Sequence, residues 1–170
     1  YDYAKSFARS LGNIHRSEYR TAIHELTTLI EDRRVTGNPR AYAYYLRGRA
    51  YYGLNRPHEA LEDFSAANTT THDNTTYPIW RCHQYEGLIY YDEGRYDDAV
   101  RELEIAWNYS DKQDQALAND LRTARQAAER AKNPPPEPQQ PEEQRAGSAG
   151  GRVDWTKIIT DIIIHSMDKG

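Results

Sequence analysis

The chain has 170 residues, of which 38% are hydrophobic and 28% charged, and its formal net charge is −4. This length allows one domain of ordinary size with appendages. The slight acidity does not fit a nucleic-acid-binding protein, which would carry a basic patch. The single cysteine, Cys82, excludes an internal disulfide and is interpreted as a packing residue. No apolar run approaches the roughly 20 residues of a membrane-spanning helix, and no secretory signal is recognised, so we expect a cytoplasmic protein.

Apolar residues at helical spacing predict seven helices in residues 1–132. Gly37, Asn38 and Pro39 predict a break in the chain, and the polar residues 68–76 predict a loop. Pro57 suits a first helical turn. The predicted helices are 2–14, 20–31, 40–53, 57–67, 78–93, 96–109 and 111–132.

The composition changes at residues 133–152, which are rich in Pro and Glu and then in Gly and Ser. Such a segment predicts a linker, stiff in its first half and flexible in its second. Residues 153–170 follow as an amphipathic segment, either a native tail or a fused partner peptide, with a predicted helix at 153–167. Its apolar stripe consists of Trp155, Ile158, Ile159, Ile162, Ile163 and Met167.

A helix this short is not stable alone in water, so we expect it to dock on a surface. The docking surface of first choice is the domain that precedes it. A membrane-surface anchor and an undocked segment are the alternatives. Against an anchor, the polar face carries little positive charge, since Asp161 offsets Lys157.

One stretch of sequence occurs twice. Residues 48–64 recur at 87–103 with the same Gly-to-Ala spacing of 12 residues, and a weaker copy surrounds Ala22. Self-similarity at a fixed period predicts stacked supersecondary units in place of a single globular core. Solenoids of this kind bind other proteins far more often than they catalyse reactions.

The repeats resemble the tetratricopeptide repeat (TPR) family over roughly residues 3–110. The spacing of 38 to 39 residues between equivalent positions exceeds the family's 34, which predicts extended loops. The second repeat matches at Tyr44, Gly48, Tyr51, Ala60, Phe64 and Ala67. The third matches at Gly87, Tyr90, Ala99 and Ala106, while the first is degenerate, with Ser10 for the Gly, and keeps Ala22, Leu26 and Leu29. The resemblance implies an all-α, TPR-type helical-hairpin solenoid of about seven helices, in which three repeats and the capping helix 111–132 occupy residues 1–132.

The resemblance also implies that the first helix of each repeat lines a concave groove. An aromatic and aliphatic lining favours an amphipathic, hydrophobic helix as the ligand, and the chain's own residues 153–170 are one candidate. We therefore expect a protein or peptide partner, no nucleic acid, and no membrane association except through a partner. The predicted groove residues are Phe7, Leu11, Ile14, Tyr42, Tyr45, Leu46, Arg49, Tyr52, Arg81, Gln84, Tyr85, Leu88 and Tyr91.

Two alternative functions stay open. Many TPR co-chaperones hold the acidic C-terminal tails of heat-shock chaperones in a clamp of Lys, Asn, Asn, Lys and Arg. The equivalent positions here hold Phe7, Leu11, Leu46, Arg81 and Tyr85. Only Arg81 fits that clamp, which disfavours the co-chaperone, although Arg49 and Arg81 keep it open. The second alternative is a secretion chaperone, since bacterial type III translocator chaperones resemble this three-repeat design.

No constellation of residues indicates an enzyme, a cofactor or a metal. The six histidines are scattered, and His83 is interpreted as a packing residue. The chain contains no phosphate-binding loop and no nucleophile elbow. Several acids recur at equivalent repeat positions and are interpreted as solvated helix faces: Glu59, Glu62, Asp63, Asp97, Asp98 and Glu102. We expect a non-enzymatic adaptor.

Overall fold

A computed structural model describes residues 2–139 and 155–168 of the chain. In these residues it contains eight α-helices and no strand. The helices are α1 Tyr3–His15, α2 Tyr19–Glu31, α3 Gly37–Gly53, α4 Pro57–Thr69, α5 Arg81–Asp92, α6 Tyr96–Tyr109, α7 Gln115–Lys132 and α8 Trp155–Met167. The chain divides into two compact units, Tyr1–Asn133 with α1 to α7 and Pro134–Gly170 with α8. The Gly/Ser-rich half of the predicted linker and the start of the predicted final helix fall on 140–154, outside the described residues.

The first unit is a stack of three helical hairpins closed by α7. Each helix from α1 to α6 packs against the next, and α6 packs against α7. In the second repeat the hairpin closes over Gly48, because a Cβ at that position would lie 2.6 Å from Cε1 of Phe64. Gly87 repeats the arrangement, with a Cβ position 2.7 Å from Cγ of Leu103. The repeated Gly is therefore a requirement of close helix packing.

The three hairpin turns share one backbone geometry. Each has a residue in the left-handed region two positions after the end of the first helix: Ser17 at φ 61°, Asn55 at φ 57° and Gly94 at φ 76°. The next backbone N–H then reaches back across the turn, as when Arg56 N donates to the Tyr51 carbonyl oxygen at 2.9 Å. Such a turn satisfies carbonyl groups at the helix end. Only Gly adopts the left-handed backbone of this turn without a steric cost.

Three predicted helix boundaries are wrong by a few residues. Helix α3 already begins at Gly37, because Pro39 fits a first turn, where its missing N–H is not needed. Helix α5 begins at Arg81 and not at 78, since Pro78 to Arg81 form a tighter turn with an N···O distance of 3.0 Å. Helix α7 begins at Gln115 and not at 111, because the side chain of Asp114 caps it.

The loop between the second and third repeats is built around Asp73. Its carboxylate accepts hydrogen bonds from the backbone N–H groups of Thr75 and Thr76, both at 3.0 Å. Nδ2 of Asn38, at the start of α3, donates to the same carboxylate at 3.0 Å. The Thr76 N–H, the Asn38 amide and the other donors hold the pKa of Asp73 well below its usual range. The predicted loop is thus tied to the second repeat.

Two of the acids predicted on solvated helix faces are instead covered. Asp63 is 4% exposed and accepts two hydrogen bonds from Arg47, at 2.7 and 2.8 Å. The side chain of Glu102 is 16% exposed and lies 2.8 Å from Nδ1 of His83. The prediction was wrong because the partner of each acid lies on the preceding helix and not on its own. His83 is thus held by a polar contact as well as by packing. No described helix has the length and apolar character needed to cross a membrane.

Candidate peptide-binding face

The first helices of the hairpins and α7 share one side of the unit, which we name the inner face. Helix α1 contacts α3, and α5 contacts α7. Helices α3 and α5 meet through aromatic rings, since Tyr85 lies 6.1 Å from Tyr45 and 5.6 Å from Tyr52 between ring centroids. Three residues that the repeat alignment assigned to the groove therefore lie close together: Tyr45, Tyr52 and Tyr85.

Part of the predicted groove is covered by the chain itself. Tyr77, in the loop before α5, stacks on Tyr42 with ring centroids 4.2 Å apart and meets the edge of Phe7 at 5.5 Å. Phe7 is consequently 3% exposed and Tyr42 8% exposed. These two side chains form an aromatic cluster with Tyr77 and are not open to a ligand. Sequence reasoning missed Tyr77, whose only signal is an aromatic residue beside Pro78 in a polar loop.

Four more predicted groove residues are buried. Leu46 is fully buried, and Tyr45 and Ile14 are nearly so. Leu46 and Tyr45 are buried because α3 is central: α1, α2 and α4 pack against it and cover its apolar side chains. Burial also raises the pKa of the Tyr45 hydroxyl. Gln84 is buried as well, and its Nε2 donates to Asp120 at 3.2 Å.

The part of the inner face that solvent reaches is narrower than predicted and more polar. It contains the predicted residues that are half-buried: Leu11, Arg49, Tyr52, Arg81, Tyr85, Leu88 and Tyr91. Tyrosine presents a large apolar surface with a polar tip, which suits a surface that is wet when free and covered when bound.

Arg49 lies at the centre of this open part. Its guanidinium carbon is 5.8 Å from the ring centroid of Tyr45 and 5.6 Å from that of Tyr85, so it lies against the faces of both rings. Cation–π contacts of this kind hold a guanidinium in place without neutralising it. In the part of the chain that the structure describes, no carboxylate forms an ion pair with Arg49. Its charge is available to a ligand.

Arg81 is engaged by α7 instead. Its guanidinium donates to Asp114 at 3.0 Å and to Gln84 at 3.1 Å. The backbone N–H of Leu117 and the Arg81 guanidinium hold the pKa of Asp114 below its usual value. The cation is therefore paired within the fold. Sequence reasoning missed Asp114 and Asp120 because it interpreted α7 only as a polar cover; the available signal was an Asp, a favoured N-cap residue, in the first turn of the predicted helix.

Helix α8 exposes its apolar side chains. Trp155 is 66% exposed and Met167 is 74% exposed. The stripe predicted from sequence is present, with Ile158, Ile159, Ile162 and Ile163 each at least 41% exposed. Ile164 lies beside the stripe, 55% exposed, and widens it. Contiguous apolar surface of this kind is uncommon on soluble monomeric proteins.

The architecture is a TPR-type helical-hairpin solenoid. The Sgt2 TPR domain from Aspergillus fumigatus shares it, with a TM-score of 0.65 over 92% of this chain and 93% of that one, at 18% sequence identity. Sequence identity this low shows a shared fold alone. No protein-family model and no curated protein matches the chain.

Proposed function

We propose that this chain is a non-enzymatic protein-interaction module, whose inner face binds an amphipathic, hydrophobic helix. One observation carries the proposal: the open part of the inner face joins half-buried Tyr52, Tyr85 and Leu88 to an unpaired Arg49. Aromatic residues and arginine are the side chains that most often dominate the binding energy of protein interfaces. The likeness in fold to the Sgt2 TPR domain supports the class of protein.

The chain itself supplies a ligand of the proposed kind. Helix α8 is 13 residues long and carries an exposed stripe of Trp, Ile and Met side chains. Isolated helices of about this length are marginal in water, so a docking surface would stabilise it. A tether of linker length gives an effective concentration on the order of mM, which favours even weak docking. We propose residues 153–170 as a ligand of the inner face.

Binding of a chaperone's acidic tail is the second candidate, and Arg49 is the observation that favours it. The other cation of the open part, Arg81, is already paired with Asp114, and α7 adds Asp120 to the same face. A carboxylate ligand would therefore meet the free cation Arg49, the neutralised pair of Arg81 and Asp114, and the further acid Asp120. This balance favours the apolar helix over the acidic tail. A secretion chaperone would use the same apolar binding mode.

The test separates the tail from the domain. Residues 1–133 form a compact unit, so the domain can be produced alone and titrated with a labelled peptide of residues 153–168. We expect binding in the micromolar to millimolar range that is insensitive to salt, because apolar burial drives it. An acidic peptide ending in a free carboxylate is the comparison ligand. If it binds more tightly, and more weakly as salt rises, the second candidate replaces the first.

Matched variants locate the binding surface. Tyr52→Ala removes a half-buried ring on the inner face, and the peptide affinity should fall by about tenfold or more, as for an interface anchor. Tyr44→Ala is the control: it removes a ring of the same helix and similar burial that lies beside Arg40 and Arg47 instead. Equal losses from both variants, or no binding by either ligand, would refute the proposal.

A further inference from the structure

Three side chains of the kind that bind metal ions lie close together between α5 and α6. They belong to His83, Glu86 and Glu102, and we name them the α5–α6 triad. Nδ1 of His83 lies 2.8 Å from Oε2 of Glu102. One ligand atom from each of the three side chains lies within 4.8 Å of the others. His83 and Glu86 are three residues apart on α5, which places both on the helix face that meets α6.

The other two repeats show which side chains normally face the acid at the position of Glu102. Glu102 is equivalent to Asp63 in the second repeat and to Glu25 in the first, each three residues after the repeated Ala. Asp63 accepts two hydrogen bonds from Arg47. Glu25 accepts from Ser10 and Asn13, both at 3.4 Å. Both acids therefore face hydrogen-bond donors on the first helix of their repeat.

The third repeat has a carboxylate where the second has a guanidinium. Glu86 takes the position of Arg47 and is 9% exposed. Its polar partners are Nδ2 of Asn68, at 2.9 Å, and Glu102 itself. In the described residues no Lys or Arg forms an ion pair with Glu86 or Glu102. Two covered carboxylates side by side are costly unless a cation or a proton lies between them.

Burial, and then the Glu102 carboxylate, raise the pKa of Glu86 to about 8. Metal ions compete with protons for such ligands.

We propose that His83, Glu86 and Glu102 bind a divalent transition-metal ion, with zinc the best match. Imidazole nitrogen and carboxylate oxygen are zinc ligands, at about 2.0–2.2 Å from the ion, so tetrahedral ligand atoms lie about 3.3–3.5 Å apart. The His83–Glu102 pair, now 2.8 Å apart, opens by roughly half an ångström to admit it. The imidazole ligand selects against Mg²⁺ and Ca²⁺, which prefer all-oxygen sites.

Solvent reaches the edge of the triad at His83, which lines a surface cavity of about 260 Å³ together with Asn68.

The test is titration of the metal-free full chain with Zn²⁺ by calorimetry. We expect one ion per chain and a Zn²⁺-dependent rise in Tm. Glu102→Gln and His83→Gln should each lower the affinity by tenfold or more. Glu86→Gln should do the same without loss of fold, because an amide can still accept from Asn68.

The control is His58→Gln, which removes the other His–Glu pair of the domain. Nε2 of His58 lies 3.1 Å from Glu62, and the histidine side chain is 84% exposed. The affinity of the His58→Gln variant for Zn²⁺ should equal that of the unmodified chain. Histidine NMR of the unmodified chain decides the matter even if a variant unfolds: one equivalent of Zn²⁺ must shift the His83 resonances first. A first shift at His58, or equal affinity in all triad variants, would overturn the proposal.

Discussion

The ring of Phe64 lies directly against the backbone of Gly48, leaving no room for a Cβ, whose position would be 2.6 Å from Cε1. Phe64 is fully buried, so it cannot swing away. We expect Gly48→Ala to lower the free energy of unfolding by about 1–3 kcal/mol, as overpacking of a core does. Urea denaturation measures this. Gly12→Ala is the control: its Cβ would meet only the flexible end of Arg16, at 3.1 Å, and the better helix propensity of Ala should leave the stability unchanged or higher.

Ser17 should be a site of easy stabilisation. It has the left-handed backbone, φ 61°, that the equivalent Gly94 adopts without strain. We expect Ser17→Gly to raise the free energy of unfolding by up to about 1 kcal/mol, the cost of that conformation for a residue with a Cβ. Asn55→Gly should gain less, because Asn tolerates this region. Gly94→Ala should lose a similar amount. Thermal unfolding of the three variants checks the order; a destabilised Ser17→Gly would contradict it.

Because Arg47 and Asp63 form a covered ion pair, we expect their substitutions to change the free energy of unfolding non-additively. Asp63 is 4% exposed, so Arg47→Met leaves a covered carboxylate without its partner. Removal of one member of such a pair typically costs about 3–5 kcal/mol. The double variant Arg47→Met, Asp63→Met removes both charges and should recover much of that loss. A double-mutant cycle from urea unfolding gives the coupling, and additive losses would show that the pair is solvated.

The lowered pKa of Asp73, in the loop between the second and third repeats, should make the stability of the fold depend on pH. Its pKa is lower in the folded chain than the ordinary value of about 3.9 in the unfolded one. Its ionised form therefore stabilises the fold above about pH 4, and this contribution is lost as pH falls towards the folded pKa. We expect Asp73→Asn to lower Tm at pH 7, with a smaller difference from the unmodified chain at pH 3. Asp97→Asn, which makes the same charge change on α6, should show no such convergence.

Much of the fold could be predicted from the sequence because close packing leaves a periodic signal. Gly48 and Gly87 recur with their buried partners at a fixed distance along the chain, and the polar helix α7 follows where an open end must be covered. The helix starts at Arg81 and Gln115 were missed, since side-chain caps and short turns decide them locally.

The composition of the open inner face was harder to predict, because the exposure of its residues depends on contacts between distant segments. Tyr77 covers Phe7 and Tyr42 from a loop. Asp114 pairs with Arg81, which lies 33 residues earlier in the chain. The recurring acids were correctly identified as equivalent, but spacing along one helix does not show that Asp63 points at the preceding helix.

Tyr77 covers the inner face near the starts of α1 and α3, whereas Tyr52 and Tyr91, in the last turns of α3 and α5, stay open. Helix C-termini carry a partial negative charge from their aligned peptide dipoles. The backbone therefore disfavours a carboxylate beside Tyr52 and Tyr91, in contrast to Arg49, which attracts one. A helix bound there would be held most firmly with a lysine or arginine at the edge of its apolar stripe, beside Tyr91 and away from Arg49.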